Sequence, residues 1–204
     1  MPSWLEFRVM GEYFPSLIRP FSLLTVKSIF NGQGEALHMA TMENLKDAFA
    51  GESQANRKYQ SFSEKADEEG FPNVARLYRA ASRAEAIHAR RELSVMGGVK
   101  STAENLEGSI EGETEEFTEM YPGFIEEAKQ EGNTEAVVIF THAMKAEQVH
   151  AGLYTRALEA LRGGKDFEGA EVFLCPVCGN IEIGKPPERC PICGVPGAKF
   201  MKVE

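Results

Sequence analysis

The residues best able to do chemistry in this chain recur as a pair of four-residue patterns, Glu85-Ala-Ile-His88 and Glu147-Gln-Val-His150. Residues three apart share one face of a helix, so each pattern aims a carboxylate oxygen and an imidazole nitrogen at one point. Glu52, in Gly-Glu-Ser, and Glu113, in Gly-Glu-Thr, precede the two patterns at matching places, and Glu116 follows one helical step after Glu113. Five carboxylates and two imidazoles exceed what one ion can use, so a pair of ions is implied; hard oxygens with borderline imidazoles suit iron or manganese. Burying these carboxylates together without cations would cost several kcal/mol per unpaired charge, on the order of what buried ions lose in desolvation. Solvated helix-face charges would account for one Glu-x-x-His; they do not account for two in matching halves.

A second cluster lies near the C-terminus, where Cys175-Pro-Val-Cys178-Gly and Cys190-Pro-Ile-Cys193-Gly hold all four cysteines of the chain. Paired C-x2-C motifs supply four thiolates for a tetrahedral metal site, with each following Gly in a tight turn that presents backbone N–H groups to sulfur. So small a unit needs its metal to fold. Thiolates alone accept zinc or iron; beside a pair of carboxylate-bound irons, a one-electron Fe(Cys)4 carrier makes chemical sense.

The elements that must position these groups read as four long helices. The first is expected from Glu43 to Gly70, and Gly70 and Pro72 punctuate the step to the second, which runs to Met96-Gly-Gly. Ser101-Thr-Ala-Glu104 is a capping box opening the third, which should bend at Pro122 and last to Gly132. Asn133 or Thr134 caps the fourth, which ends before Arg162-Gly-Gly. The halves repeat: Glu52, Tyr59, Glu85 and His88 echo Glu113, Tyr121, Glu147 and His150, with one extra residue in the third helix that a π-bulge near Glu116 would absorb. Tyr59 and Tyr121 fall close enough in phase for their hydroxyls to reach the carboxylates. Of the two other histidines, His142 reads as peripheral and His38 has no role. Two Glu-x-x-His motifs with a Glu from each remaining helix form the ligand set of a di-iron four-helix bundle.

A net charge of −9 and a pI near 5.1 argue against nucleic acid or an anionic membrane as partner. Nothing reads as transmembrane, and cysteines confined to one metal-type cluster fit a reducing compartment, so the cytoplasm is expected. Residues 1–38 stand apart, without sustained periodicity; Arg19, Pro20 and Lys27 break any signal-peptide core. Translation beginning at Met39 or Met42 would make them upstream sequence. The expected organisation is therefore an atypical extension over 1–38, a bundle over 39–163, a linker over 164–171 and a metal-stabilised lobe over 172–204.

With these motifs in place, residues 42–204 resemble rubrerythrin: "FAGESQANRKY", "EAIH", "EGETEEFTEMYP", "AEQVH" and the paired "CPxCG" stand at that family's relative positions. The resemblance implies an all-α, ferritin-like four-helix bundle followed by a rubredoxin-like domain. It implies a di-iron centre held by Glu52, Glu85, Glu113, Glu147 and His150, with His88 and Glu116 as alternative ligands of one iron in its reduced and oxidised states. It also implies one Fe(Cys)4 iron on Cys175, Cys178, Cys190 and Cys193. The implied activity is reduction of hydrogen peroxide to water, with electrons passing through the Fe(Cys)4 centre from a separate reductase or rubredoxin. No G-x-G-x-x-G follows a strand, so nicotinamide binding by this chain is not expected. The rivals are an iron-handling ferroxidase, which needs neither Glu116 nor the cysteine tail, and a zinc-ribbon interaction module on a structural bundle.

A ferritin-like bundle requires a long link between its second and third helices. Joining the level of His88 to that of Glu113 calls for roughly 30 Å at 1.5 Å per helical residue. The residues Gly97 to Ser101 extend at most about 18 Å. A homodimer exchanging helix pairs is the expected solution, with an up-down-up-down monomer as the alternative.

Overall fold

The computed structural model describes the backbone of residues 33–167 and 171–204. The expectation of upstream sequence falls almost wholly on residues outside that range, as does part of the expected linker. Apart from the start of the first helix, the features below lie in the compact unit Leu45–Glu204.

Helix α1 spans Gln33–Glu68 and α2 spans Pro72–Val95. The first helix thus begins at Gln33 rather than Glu43, since the intervening text carries good helix formers and no proline to stop it. Gly70, at φ 81°, turns the chain and Pro72 opens α2 in the first turn, where its missing N–H is not needed. Along α1, Glu52, Asn56, Tyr59, Ser63 and Ala66 recur every three or four residues; along α2, Ala75, Tyr78, Ser82, Glu85 and Ala89 do the same. These stripes meet in an antiparallel hairpin. Asn56 Nδ2 donates to the Ser82 carbonyl at 2.7 Å and to Ser82 Oγ at 3.0 Å, and Ser82 Oγ donates back to the Asn56 carbonyl. Arg79 pairs with Asp67 at 2.6 Å nearer the turn.

Helices α3 (Thr102–Glu115), α4 (Tyr121–Gln130) and α5 (Thr134–Arg162) form the second hairpin, with a π-helical turn over Glu116–Met120 joining α3 to α4. That turn absorbs the extra residue of the repeat. Ser101 and Glu104 form the complete capping box, and the Asn133 side chain accepts from the Ala136 N–H. Both caps answer orphan N–H groups that a helix start cannot satisfy itself.

The repeat extends to the packing. In the first hairpin Tyr59, Phe62 and Tyr78 cluster with ring centroids 5.6–6.2 Å apart; in the second, Tyr121, Phe124 and Phe140 cluster over the same range. Among the described residues α2 packs against none of α3, α4 and α5.

The C-terminal lobe is a three-stranded antiparallel sheet in the order β2-β1-β3, with β1 Val172–Leu174, β2 Ile181–Ile183 and β3 Met201–Val203. Strand β2 leans on α5. Among the described residues no helix is long and apolar enough to cross a membrane.

Candidate metal centres

The first hairpin brings Glu52, Glu85 and His88 together, with one potential ligand atom from each lying within 4.8 Å of the others. His88 Nδ1 sits 2.9 Å from Glu85 Oε2 and 3.7 Å from Glu52 Oε1. The second hairpin repeats the arrangement with Glu113, Glu147 and His150, and there His150 Nδ1 lies 2.7 Å from Glu147 Oε2. In both clusters Nδ1 is the nitrogen turned to the carboxylates, as the shared Glu-x-x-His spacing dictates.

Glu116 stands beside the second cluster, at the start of the π turn, where its charge is felt by Glu113 and Tyr121. The π turn widens the helix locally and presents Glu116 one helical step beyond Glu113.

The carboxylates are crowded without a cation. Glu52 shares a hydrogen bond with Glu85 that raises its pKa, aided by desolvation and by the Glu85 charge. Burial, a hydrogen bond from Glu147 and the Glu147 charge push Glu113 up to about 7. Burial and Glu147 raise Glu116 as well. Carboxyls that must share protons to coexist are the donor set a hard cation would relieve. The side chains therefore fit the iron pair that the ligand pattern implies.

The two histidines differ in their surroundings. The His88 side chain is 52% exposed and that of His150 is 16%. The cover on His150 comes from the C-terminal lobe: its Nε2 donates to the Gly179 carbonyl oxygen at 2.9 Å. A carbonyl can only accept, so the ring proton is on Nε2 and Nδ1 is left for metal. This backbone hold on the distal nitrogen is the usual way a ligating imidazole is oriented.

Tyr59 and Tyr121 sit one to two turns from their clusters, but among the described residues neither hydroxyl hydrogen-bonds a carboxylate; both rings are engaged in the aromatic clusters. Tyr121 nevertheless lies within reach of the cluster's field, and burial with the Glu116 charge raises its pKa. Tyr154 went unnoticed in the sequence and behaves likewise, raised by burial and by Glu113 and Glu147. Its signal was its phase, one turn beyond His150 on the same face. Glu92, one turn beyond His88, was also missed; it acts on Glu52, and its Oε2 is buried without a partner. His142 joins neither cluster.

In the lobe, Cys175, Cys178, Cys190 and Cys193 bring their sulfurs within 4.8 Å of one another. The Cys175–Cys193 and Cys178–Cys190 sulfurs are 3.6 and 3.5 Å apart, close to the edge of about 3.8 Å that a tetrahedron with metal–sulfur bonds of about 2.3 Å requires. Two matching turns build the site: Gly179 and Gly194, at φ 80° and 76°, donate their N–H groups to the Cys175 and Cys190 carbonyls. The turns also aim N–H groups at sulfur, from Asn180 to Cys178 and from Val195 to Cys193. Burial opposes thiolate formation and raises Cys178 and Cys193. At Cys190 burial acts the same way, yet the N–H groups of Cys193 and Ile192 outweigh it and bring the thiol down to about 7. Four thiols so placed fit a single M(Cys)4 ion.

Comparison with known proteins bears on both centres. The family model described as Rubrerythrin matches residues 43–158, and that described as Rubrerythrin, rubredoxin-like domain matches residues 173–201. Rubrerythrin-2 of Clostridium acetobutylicum is 34% identical over 174 residues, covering 78% of this chain and 95% of that protein. Nigerythrin of Nitratidesulfovibrio vulgaris is 38% identical over 175 residues, covering 79% and 85%. A solved mixed-valence structure of nigerythrin shares 39% identity with a TM-score of 0.47, covering 80% of this chain and 86% of that one. With a ferritin-like helical part fitted to a di-iron centre and a rubredoxin-like lobe fitted to one iron, the chain belongs to the rubrerythrin family.

Proposed function

We propose that this protein is a cytoplasmic peroxidase that reduces hydrogen peroxide to water in defence against oxidative stress, fed with electrons by a separate reductase or rubredoxin. The reaction consumes two electrons and two protons for each peroxide and yields two waters. The iron pair would supply the electrons to the O–O bond, and the Fe(Cys)4 ion would replenish them one at a time. The observation that carries the reading is the hydrogen bond from His150 Nε2 to the Gly179 carbonyl, at 2.9 Å, because Gly179 directly follows Cys178. One polar contact thus separates a thiolate ligand of one centre from an imidazole ligand of the other. A storage or scaffold protein has no need of that joint.

Glu52, Glu85, Glu113, Glu147 and His150 would hold the iron pair, and, as the family resemblance implies, His88 and Glu116 would serve one iron alternately. The exposure of His88 fits a ligand that must be free to disengage. Ferric iron prefers anionic oxygen, which favours Glu116 in the oxidised state. Tyr121 and Tyr154 hold their phenolic protons more tightly than free tyrosine, so each stays a hydrogen-bond donor at the edge of the carboxylates.

The test is to load the protein with iron, reduce it, add stoichiometric hydrogen peroxide without oxygen, and follow Fe(Cys)4 absorbance in wild type and Glu85→Ala. Fast reoxidation in the wild type that slows strongly in the variant is expected. Equal rates would show that the cysteine lobe reacts alone and would end the peroxidase reading, as would purified protein carrying only zinc after growth with ample iron.

A further inference from the structure

The outer side of the first hairpin carries charge opposite in sign to that of the whole chain. Ile87 stands there on α2, 52% exposed. Arg83, one turn before it, and Arg90 and Arg91, one turn after, are its neighbours on the helix surface, and all three are exposed. No acidic residue stands three or four positions from any of these arginines, the spacing at which a helix pairs its own charges. Among the described residues none of the three forms an ion pair.

Helix α1 adds a fourth arginine. Asn56 and Ser82 bond each other across the hairpin, and Arg57 and Arg83 each follow that pair by one residue. At 100° per residue, that step puts both on the same outer side of an antiparallel pair. Arg57 Nη1 donates to the neutral Gln60 Oε1 at 3.1 Å, which leaves its charge unopposed. The carboxylates of α1 on this side, Glu64, Asp67 and Glu68, lie nearer the Gly70 turn, where Asp67 pairs with Arg79 and Glu68 with Lys65.

An exposed apolar residue ringed by arginines has the make-up of a small protein interface, an apolar centre within a charged rim. Its charge selects an acidic partner. In a chain of net charge −9, an unopposed basic patch leaves the remaining surface more negative still. Nucleic acid or an anionic membrane laid on the patch would run on into that surface and be repelled. A compact acidic protein meets the patch alone. From Arg83 to Arg91 the helix advances about 12 Å at 1.5 Å per residue. A footprint of that scale suits the transient interfaces of electron-transfer pairs, which bury less than about 1,200 Å² in total.

Position supplies the redox character. The inner side of the same stretch of α2 carries Glu85 and His88 of the first carboxylate cluster. One helix with its side chains, about 10–12 Å, separates the patch from that cluster. Among the described residues the cysteine lobe packs on α5 and not on α2, so it leaves the patch uncovered.

We propose that Ile87 with Arg57, Arg83, Arg90 and Arg91 docks a small acidic one-electron carrier, which delivers electrons to the iron pair across α2 as a second entry beside the Fe(Cys)4 centre. Each docking oxidises one carrier and reduces one ferric ion to ferrous, and two dockings match the two electrons that one peroxide consumes. The inference takes the need for a donor from the functional reading; the affinity of the patch for an acidic protein stands without it.

The probe is an acidic rubredoxin, zinc-substituted and dye-labelled for binding by fluorescence anisotropy, and in its reduced iron form for electron transfer to the iron-loaded full chain. Wild type is compared with Arg83→Glu/Arg90→Glu and with Lys185→Glu/Lys199→Glu, two exposed lysines of the cysteine lobe whose reversal changes the net charge equally. At low ionic strength the α2 reversal should weaken binding tenfold or more, while the lobe reversal has little effect. About 0.5 M salt should erase the difference, since the screening length is already only about 10 Å at 0.1 M. Arg83→Gln/Arg90→Gln, with unchanged far-ultraviolet circular dichroism, should move binding the same way by a smaller factor, which separates charge from misfolding. In Cys190→Ser, verified to keep cage iron while lacking Fe(Cys)4, rubredoxin should still reduce the iron pair, and adding the α2 reversal should slow that step as much as it weakens binding.

Equal weakening by both reversals would reveal an effect of net charge without a site, and weakening by the lobe reversal alone would put the carrier on the lobe; either overturns the proposal. So does loss of all reduction in Cys190→Ser, or a short DNA duplex that displaces rubredoxin from the wild type at about 0.15 M salt. Protein that binds rubredoxin through the arginines and accepts its electrons but leaves peroxide intact would end the peroxidase reading and leave the docking in place.

Discussion

The imidazole of His150 donates from Nε2 to the carbonyl oxygen of Gly179 across 2.9 Å, so the last turn before Asn180 in the cysteine lobe rests directly on a candidate ligand of the carboxylate cluster. The contact is possible because Ala146, 1% exposed and one helical turn earlier on α5, is small: a Cβ placed on Gly179 would stand 4.0 Å from the Ala146 Cβ. Replacing Ala146 with Leu should wedge the lobe away and break the hydrogen bond. In the iron-loaded protein, peroxide-driven reoxidation of Fe(Cys)4 should slow by about tenfold or more, equivalent to about 1.4 kcal/mol on the barrier. Iron content at both centres should stay at the wild-type level. Stopped-flow absorbance checks this, and an unchanged rate would show that electrons take another route.

Metal-free protein should lose stability as pH rises. Burial and the hydrogen bond with Glu147 raise Glu113 to about 7 from an ordinary 4.5. The folded state therefore binds this proton more tightly than the unfolded chain. The resulting stabilisation is complete below the ordinary carboxylate range and is lost as pH climbs through about 7. Thermal melts of metal-free protein from about pH 5 to about pH 8 should show a falling Tm, with a shallower fall in Glu113→Gln. A Tm that rises over this interval would contradict the assignment.

Gly197→Ala should disable the lobe selectively. A Cβ at Gly197 would fall 1.7 Å from the Pro187 carbonyl oxygen, a backbone atom that cannot swing aside. Overpacking of a tight site costs about 1–3 kcal/mol, occasionally more, and so small a sheet has little to offset it. Visible Fe(Cys)4 absorbance should be lost while far-ultraviolet circular dichroism of the helices is kept. Retention of the colour would mean that the 188–197 segment can relax.

Asn56→Ala should destabilise the first hairpin. The Asn56 amide serves both the carbonyl and the hydroxyl of Ser82, a residue only 8% exposed. Ser82 Oγ keeps its bond to the Asn56 backbone carbonyl, so the loss is that of the two amide bonds, about 0.5–1.5 kcal/mol each. A lowered Tm is expected; Ser82→Ala in the same background should add little, because the pair acts as one unit.

Much of the helical architecture was legible because its causes are local. The Ser101 capping box, the Asn133 cap, the turn at Gly70 and Pro72 and the π turn near Glu116 each follow from neighbouring residues or from the offset between halves. The start of α1 was misjudged because helix propensity runs on smoothly through Gln33 to Thr41 and marks no boundary. Tyr59 and Tyr121 were read as reaching toward carboxylates. Phase places a side chain on a face, but whether its hydroxyl or its ring meets a neighbour depends on what packs beside it, here Phe62, Tyr78, Phe124 and Phe140.

By itself the sequence determined the ligand types, their grouping into half-sets of one Glu and one Glu-x-x-His, and the four-thiolate lobe. These depend on residue identity at fixed helical or turn spacing. Only the tertiary structure decided that the lobe rests on His150 through Gly179, since a backbone carbonyl carries no signature in residue type. That the two half-sets stay apart was already expected from the short link between the second and third helices; the structure adds the bonds that hold Gly98 to α2 and Ser101 to α3.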